Sequence, residues 1–502
     1  MTNELKIVRD YYFHSMLNEH DDNLYTYFPT VDKLLDFSLQ HHAQRPAFSD
    51  GTTTYTFQEV CDRVAQRRGM LKSLNLEKGS KIAVWSPNTV EAMEIYLAIV
   101  TAGFVSVMVS PLNNGKTVKD ICAKFDVSVL FYDKSLEAGL EKPKNVICVD
   151  TEFKPFEPVG FANLKKEDYC SICLTGGTTG TPKGVILNQG AIMRGTYNAC
   201  FAPGGNFGSD RTIAILPFSH IFGLISGFLK GFYTGALVYS CDNIMQIFSK
   251  IPVYKPTYLY LVPGMANILV NLSRRYGNEF CSSIKSMILG AALVPPTLMN
   301  ALRDLGITVC LGYGLTESSN LTTANKNSFE NPYSVGMVYP EQEYKIVNGE
   351  LLLKGDNIMV GYYNEPELTK EVFDEDGWFR TGDLVRMDKN GFIYIEGRIK
   401  NLIILDNGEN VCPEKIEGVF YKNKFVKDCL VREDSKDGKQ LISIEIIPAD
   451  DIIEKPIEEL EDFFNPIVDE VNATLLSYER IGLIKIRKED FKRTASLKIA
   501  RT

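Results

Sequence analysis

LTGGTTGTPKGV occupies residues 174–185 and continues a short apolar run that begins at residue 171. A strand entering a loop in which Gly176, Gly177, Gly180 and Gly184 interleave with Thr175, Thr178, Thr179 and Thr181 has the composition of a phosphate grip. Glycine lets successive backbone N–H groups turn toward an anion, and threonine hydroxyls add donors without adding charge. Lys183 supplies a cation. The spacing is neither G-x-x-x-x-G-K-[ST] nor G-x-G-x-x-G, so the mechanics of those two phosphate motifs do not transfer. Read alone, the stretch is equally compatible with a flexible surface loop, and its surroundings have to decide.

Outward from the loop, short apolar runs alternate with helix-like spacing. KIAVWSPN (81–88), SVLFYD (128–133) and NVICVD (145–150) are nearly unbroken, as strands buried on both faces of a parallel sheet are. The texture recurs at 211–218 (RTIAILPF), 257–263 (TYLYLVP) and 286–292 (SMILGAA), while residues 91–100 have helical spacing. Past residue 340 it changes to short strands punctuated by Gly, Asn and Asp, which reads as hairpins. The Asn407–Gly408 pair fits a type I′ turn. After residue 411 a tail of domain size carries a helix at 413–421, strands at 429–434, 440–447 and 482–487, and a helix at 458–476 with Leu460, Phe463, Phe464, Ile467, Val468 and Val471 on one face. The expected fold is α/β: a large N-terminal domain of several subdomains, residues 1–398, and a small α+β C-terminal domain, residues 399–502, joined by a hinge.

Composition bounds the function. A chain of 502 residues exceeds one core, and 45% hydrophobic with 23% charged residues is ordinary for a soluble globular protein. The net charge of −9 disfavours broad binding to nucleic acid. The most apolar candidate for a membrane span, residues 96–109, is interrupted and shorter than the about 20 residues a spanning helix needs, and the N-terminus lacks the order of a secretory signal. Eleven scattered cysteines resemble the reduced, buried thiols of a cytoplasmic protein. Cys170 and Cys173 form a CxxC without a second pair or a nearby histidine, so two core residues of a strand are the expectation rather than a metal or redox site. His14, His20, His41 and His42 read as surface residues.

Further segments complete a set: GYGLTES (312–318), WFRTGDL (378–384), GRIKNLIILDNGENVCPEKIE (397–417) and RTASLKIAR (493–501). With the Gly/Thr loop they resemble, in order, the motifs of the adenylate-forming superfamily of acyl-CoA synthetases, aryl-CoA ligases, peptide-synthetase adenylation domains and luciferases, and most closely bacterial AMP-forming acyl-CoA synthetases. Residues 55–57 and 99–111 also fit, so the resemblance covers nearly the whole chain. It implies an ATP-dependent carboxylic acid ligase that forms acyl-AMP and pyrophosphate, then an acyl-CoA thioester and AMP.

The resemblance also assigns roles. Residues 175–181 and Lys183 would hold phosphate, with Thr178 and Glu317 at Mg²⁺, an ion that neutralises phosphate charge. Tyr313, flanked by Gly312 and Gly314, would stack on adenine, with Gly290, Ala291 and Ala292 small enough to admit the base and Thr316 alongside. Asp383 would accept the ribose hydroxyls. Arg398 and Lys400 would form the hinge, and Gly408 would admit the pantetheine arm of CoA. Lys498 would bridge the substrate carboxylate and the α-phosphate, where a cation stabilises developing charge. His220, in LPFSHIFG (216–223), would line and gate the acid channel; its bland alternative is a core histidine. Catalysis would then rest on Lys498, Thr178, Glu317 and His220. Two positions depart from the pattern: Leu497 stands where glycine is usual before the lysine, and Ile404 where many relatives carry a second lysine. No aspartate stands beside His220 to pair with an α-amino group, which disfavours α-amino acids, and the apolar segments 221–224, 262–265 and 315–323 favour an apolar acyl or aryl tail. Loading of an acyl carrier protein is the alternative second step, and a non-catalytic nucleotide-binding protein the alternative of another class.

Overall fold

The unbroken apolar runs become the middle of a sheet. In the computed structural model, which describes residues 26–175, 182–202, 208–241, 243–290, 294–436, 439–492, 499 and 501, seven strands run in the order Gly361–Tyr362, Lys183–Asn188, Tyr169–Thr175, Val105–Val109, Lys81–Trp85, Val127–Tyr132, Ile147–Asp150. The last five are parallel to one another, and Lys183–Asn188 runs against both neighbours. Alternate residues serve opposite faces. Ile82 and Val84 pack in the cluster that holds helix Val90–Thr101, whereas Ala83 and Trp85 pack with Val118, Ile121 and Cys122 of helix Gly115–Lys124. Cys170 and Cys173 lie buried in strand Tyr169–Thr175.

Two devices fix the first helices. Thr56 caps helix Phe57–Ser73 by accepting from Glu59 N–H, and the Glu59 carboxylate accepts from Thr56 N–H in return. Those bonds hold the Glu59 carboxyl below the usual carboxylate range. Thr56→Ala should therefore cost about 1 kcal/mol in urea unfolding. Because a depressed carboxyl stabilises above its unfolded pKa, the stability difference between the native chain and Glu59→Gln should shrink as pH falls through its folded value. Deeper in, Glu94 is fully buried between two arginines of the neighbouring helix: it accepts from Arg67 Nε at 2.9 Å and from both Nε and Nη2 of Arg63.

A second sheet orders Tyr258–Leu261, Ser286–Leu289, Thr308–Leu315, Asn320–Asn325 and Met337–Val338, the first three parallel. A four-stranded antiparallel sheet follows from Glu343 to Arg398. In the tail, strands Val426–Lys436, Lys439–Pro448 and Ile481–Ile486 pack with helices Pro413–Phe420 and Ile457–Asn472. One apolar cluster runs from Val31 to Ile393 and another from Ile403 to Ile481, with no residue in common. Among the described residues no helix is long and apolar enough to cross a membrane.

Three expectations are corrected. Only Arg211–Ile213 of the 211–218 run is strand; beyond it the chain is held by the side chain of Asn88, which donates to the carbonyls of Ala214 and Leu216 and accepts from Phe218 N–H. His42 is buried, at 5% exposure, not a surface residue, and burial lowers its pKa. The turn before Gly408 is not type I′. Gly408 has φ +84°, but Asn407 is not among the positive-φ residues, and Gly408 N–H donates to the Leu405 carbonyl.

Candidate active site

The Gly/Thr loop is flanked by a strand pair. Thr175 ends one strand, Lys183 begins the next, and the two residues are register partners. Residues Gly176, Gly177, Thr178, Thr179, Gly180 and Thr181 lie outside the described residues, as do Ala291, Ala292, Leu497 and Lys498. Gly184 belongs to the strand rather than the loop, and its glycine has a packing cause: a Cβ there would sit 2.3 Å from the Phe125 ring.

From Lys183 the contacts lead to the other motifs. Lys183 Nζ lies 5.5 Å from the ring centroid of Tyr362, and the Tyr362 hydroxyl donates to Glu317 Oε1 at 2.8 Å. Burial first, and then the Glu317 charge, push the Tyr362 hydroxyl pKa up, so it stays a donor. Glu317 lies in the 3₁₀ turn Thr316–Ser318, half-buried, with a backbone carbonyl that accepts from Met359 N–H. A carboxylate with one oxygen held by Tyr362 and the other bound by no described residue, beside the ends of a phosphate-type loop, suits Mg²⁺, which takes one or two carboxylates and completes its shell with water and phosphate oxygens. Sequence reasoning missed Tyr362. Its only signal was position, in a GYYNEPE segment (361–367) that matches no phosphate motif.

Gly312, Tyr313 and Gly314 lie in strand Thr308–Leu315. The glycines admit the next strand: a Cβ on Gly314 would lie 1.7 Å from the Asn320 carbonyl oxygen. Tyr313 is half-buried, and its hydroxyl donates to Asp383 Oδ2 at 2.7 Å. Asp383 is buried in a strand, at 1% exposure, with Arg398 Nε at 2.7 Å from Oδ1. The ribose acceptor, the adenine tyrosine and the first hinge residue of the sequence reading are thus one bonded group. Gly290 closes the ring of contacts, since a Cβ there would sit 3.3 Å from Phe222 and 3.5 Å from the Gly312 carbonyl oxygen.

His220 is exposed, so it is not a core histidine. It precedes the short helix Ile221–Leu224, with its N–H on the Pro217 carbonyl. Lys400 and Gly408 are both exposed, in a 3₁₀ turn and a hairpin turn. Ile404 is 66% exposed. Near the chain end Arg501 Nη2 reaches Glu417 at 2.6 Å and Glu414 at 3.4 Å, anchoring the terminus on helix Pro413–Phe420.

The profile of the family described as AMP-binding enzyme matches residues 35–363, and that of the AMP-binding enzyme C-terminal domain matches residues 400–502. The chain is an AMP-binding enzyme. As such it belongs to the adenylate-forming superfamily. This AMP-binding enzyme is 27% identical over 446 residues to a probable CoA ligase of Humulus lupulus, covering 80% of each chain. It is 27% identical over 468 residues to a long-chain-fatty-acid–CoA ligase of Bacillus subtilis, covering 80% of this chain and 82% of the other. In fold it is similar to an anthranilate CoA ligase solved with anthranoyl-AMP, with TM-score 0.82, 22% identity, and coverage of 94% of this chain and 96% of that one. It is also similar to the o-succinylbenzoate CoA synthetase of Bacillus subtilis, with TM-score 0.78, 23% identity, and coverage of 94% and 97%.

Proposed function

We propose that the enzyme activates a carboxylic acid with ATP and passes the acyl group to CoA. The carboxylate oxygen attacks the α-phosphorus, pyrophosphate leaves, and the thiol then displaces AMP from the mixed anhydride. The observation that carries this reading is the contact chain Lys183–Tyr362–Glu317, continued along one segment to Tyr313–Asp383–Arg398. It brings phosphate, metal, base and ribose candidates to one place, and the similar chains named as CoA ligases supply the acceptor. Glu317 and Thr178 would hold Mg²⁺, which screens the triphosphate charge when bound. Asp383 accepts the ribose hydroxyls while Arg398 and Tyr313 orient it. Lys183 and the flanking Gly/Thr loop hold phosphate, and His220 stands at the acid channel. Lys498, four residues from the end of the sequence, bridges carboxylate and α-phosphate. The unit 399–502 turns about Arg398 and Lys400 between the two half-reactions, with Gly408 beside the pantetheine arm. Eleven free thiols suit a reducing, cytoplasmic setting.

Mass spectrometry of reactions with ATP, Mg²⁺ and a panel of aliphatic, aryl and amino acids, with and without CoA, tests this directly. Acyl-AMP without CoA and acyl-CoA with it are expected. Acyl-AMP that persists in the presence of CoA would move the acceptor to a carrier protein, and no adenylate from any acid would overturn the ligase reading. Lys498→Ala should slow acid-dependent pyrophosphate release about 100- to 1000-fold; an unchanged rate would remove Lys498 from the mechanism.

A further inference from the structure

Phe222 and Lys230 share one stripe of the helix that leaves His220. In a regular α-helix the eight residues from Phe222 to Lys230 would turn the lysine about 80° away from the phenylalanine. Ile225–Leu229 is instead a π turn, with Lys230 N–H reaching back five residues to the Ile225 carbonyl. Such a turn accommodates one extra residue, so the interval counts as seven α residues and the offset falls to about 20°. Gly227 lies between them in the π turn. It is buried, yet a Cβ built there would meet nothing within 4 Å. Open space therefore lies beside the π turn, inside the protein.

One end of the stripe is at the active site, where Phe222 packs against Gly290. The other end is polar. Lys230 has no exposed surface, and its ammonium donates to two neutral oxygens, the Ala202 carbonyl at 3.3 Å and the Tyr260 hydroxyl at 3.0 Å. The Tyr260 ring meets Phe222 edge-on at 5.5 Å, so one side chain spans the distance from mouth to end. Among the described residues Lys230 has no ion-pair partner. Burial lowers its pKa, with the Cys200, Asp210 and Cys310 charges opposing. Asn198 is equally buried, and neither atom of its amide has a partner among the described residues. It lies three residues after Gly195, whose Cβ position meets Ile225 of the π turn, and four before Ala202, which accepts from Lys230. Gly195 and Asn198, three apart in helix Gln189–Cys200, share the face that meets the π turn. A buried cation held only by neutral groups, and a buried amide without a partner among the described residues, cost free energy that apolar residues would not, and a ligand that brings an oxygen would offset it.

We propose that this is the far end of the acid pocket, and that it selects acids carrying a second oxygen acceptor, a carboxylate or a carbonyl, remote from the carboxyl that is activated. The inference rests on the ligase reading above and refines its substrate class: apolar walls, as the sequence suggests, with a polar floor. The test compares, over a range of chain lengths, unbranched alkanoic acids with ω-oxo and α,ω-dicarboxylic acids of equal length, reading kcat/KM for pyrophosphate release and the KM for ATP. The native enzyme should favour the oxygen-ended acid of its best length by about 100-fold. Lys230→Met should erase that preference and leave the KM for ATP in place; an apolar isostere of a buried charge is tolerated by most cores. A native enzyme that prefers methyl-ended acids at every length, or a preference that survives Lys230→Met, would overturn this inference alone. No pyrophosphate from any acid with the native enzyme would overturn the ligase reading and this inference together. The arm that responds, dicarboxylic or ω-oxo, identifies the acceptor.

Discussion

Glu317→Gln should lower acid-dependent pyrophosphate release about 100- to 1000-fold while leaving the fold intact. The amide keeps an oxygen that can accept the Tyr362 hydroxyl, and the half-buried turn Thr316–Ser318 keeps its volume. What is lost is one negative charge beside the loop proposed to hold phosphate, and with it the anionic oxygen that the proposed Mg²⁺ would require. The loss should be partly recovered at high Mg²⁺, which separates it from a general loss of structure. Tyr362→Phe should act in the same direction with a smaller effect, about tenfold, because the carboxylate remains and only its orientation is released. A Glu317→Gln enzyme within threefold of the native rate at limiting Mg²⁺ would remove Glu317 from the site.

The largest expected effect on stability lies away from the chemistry. Glu94→Gln should destabilise the protein by about 3–5 kcal/mol in urea unfolding. Glu94 has no exposed surface and Arg67 is 2% exposed, so removing the negative charge leaves a buried guanidinium uncompensated. Burial already lowers the Arg67 pKa against the pull of Glu94. Arg67 also donates to the Thr151 carbonyl, and both arginines lie over the Phe153 ring, so the group ties two helices to the segment after strand Ile147–Asp150. Replacing Glu94 and Arg67 together with apolar residues should cost less than Glu94→Gln alone, since no unpaired charge would remain. Costs that add across the two sites would show that the pair does not interact.

How far the sequence reaches depends on how local the cause is. The parallel strands were legible because burial on both faces leaves an apolar run with no alternation, as at 81–85 and 127–132. The tail helix at 457–472 was legible from its spacing, although it runs through Pro466. Partners distant along the chain were not. The run at 211–218 looks like one strand, but beyond Ile213 its carbonyls meet the Asn88 amide rather than a neighbouring strand. Gly312 and Gly314 stand out only as neighbours of Tyr313, whereas their missing side chains serve the strand beside them. His42 looked like a surface residue, and Phe57 and Gly235, distant along the chain, pack against its ring. At the site, motifs pointed to Glu317, Tyr313, Asp383 and Arg398 one at a time, but nothing in the sequence ties Tyr313 to Asp383 across 70 positions or Tyr362 to Glu317 across 45. Lys230 is hidden for another reason: its stripe depends on a π turn, and helical periodicity counted at 3.6 residues places it off the face.

Two apolar clusters without a shared residue bear on how this chain comes apart. When each cluster can lose its packing without opening the other, heating or denaturant need not produce one all-or-none transition, and a single midpoint then describes neither. The cluster that ends at Ile481 is much the smaller of the two, so it has the less cooperative material to lose. The enzyme's heat resistance is then better expressed as two numbers, with the lower one deciding when activity stops.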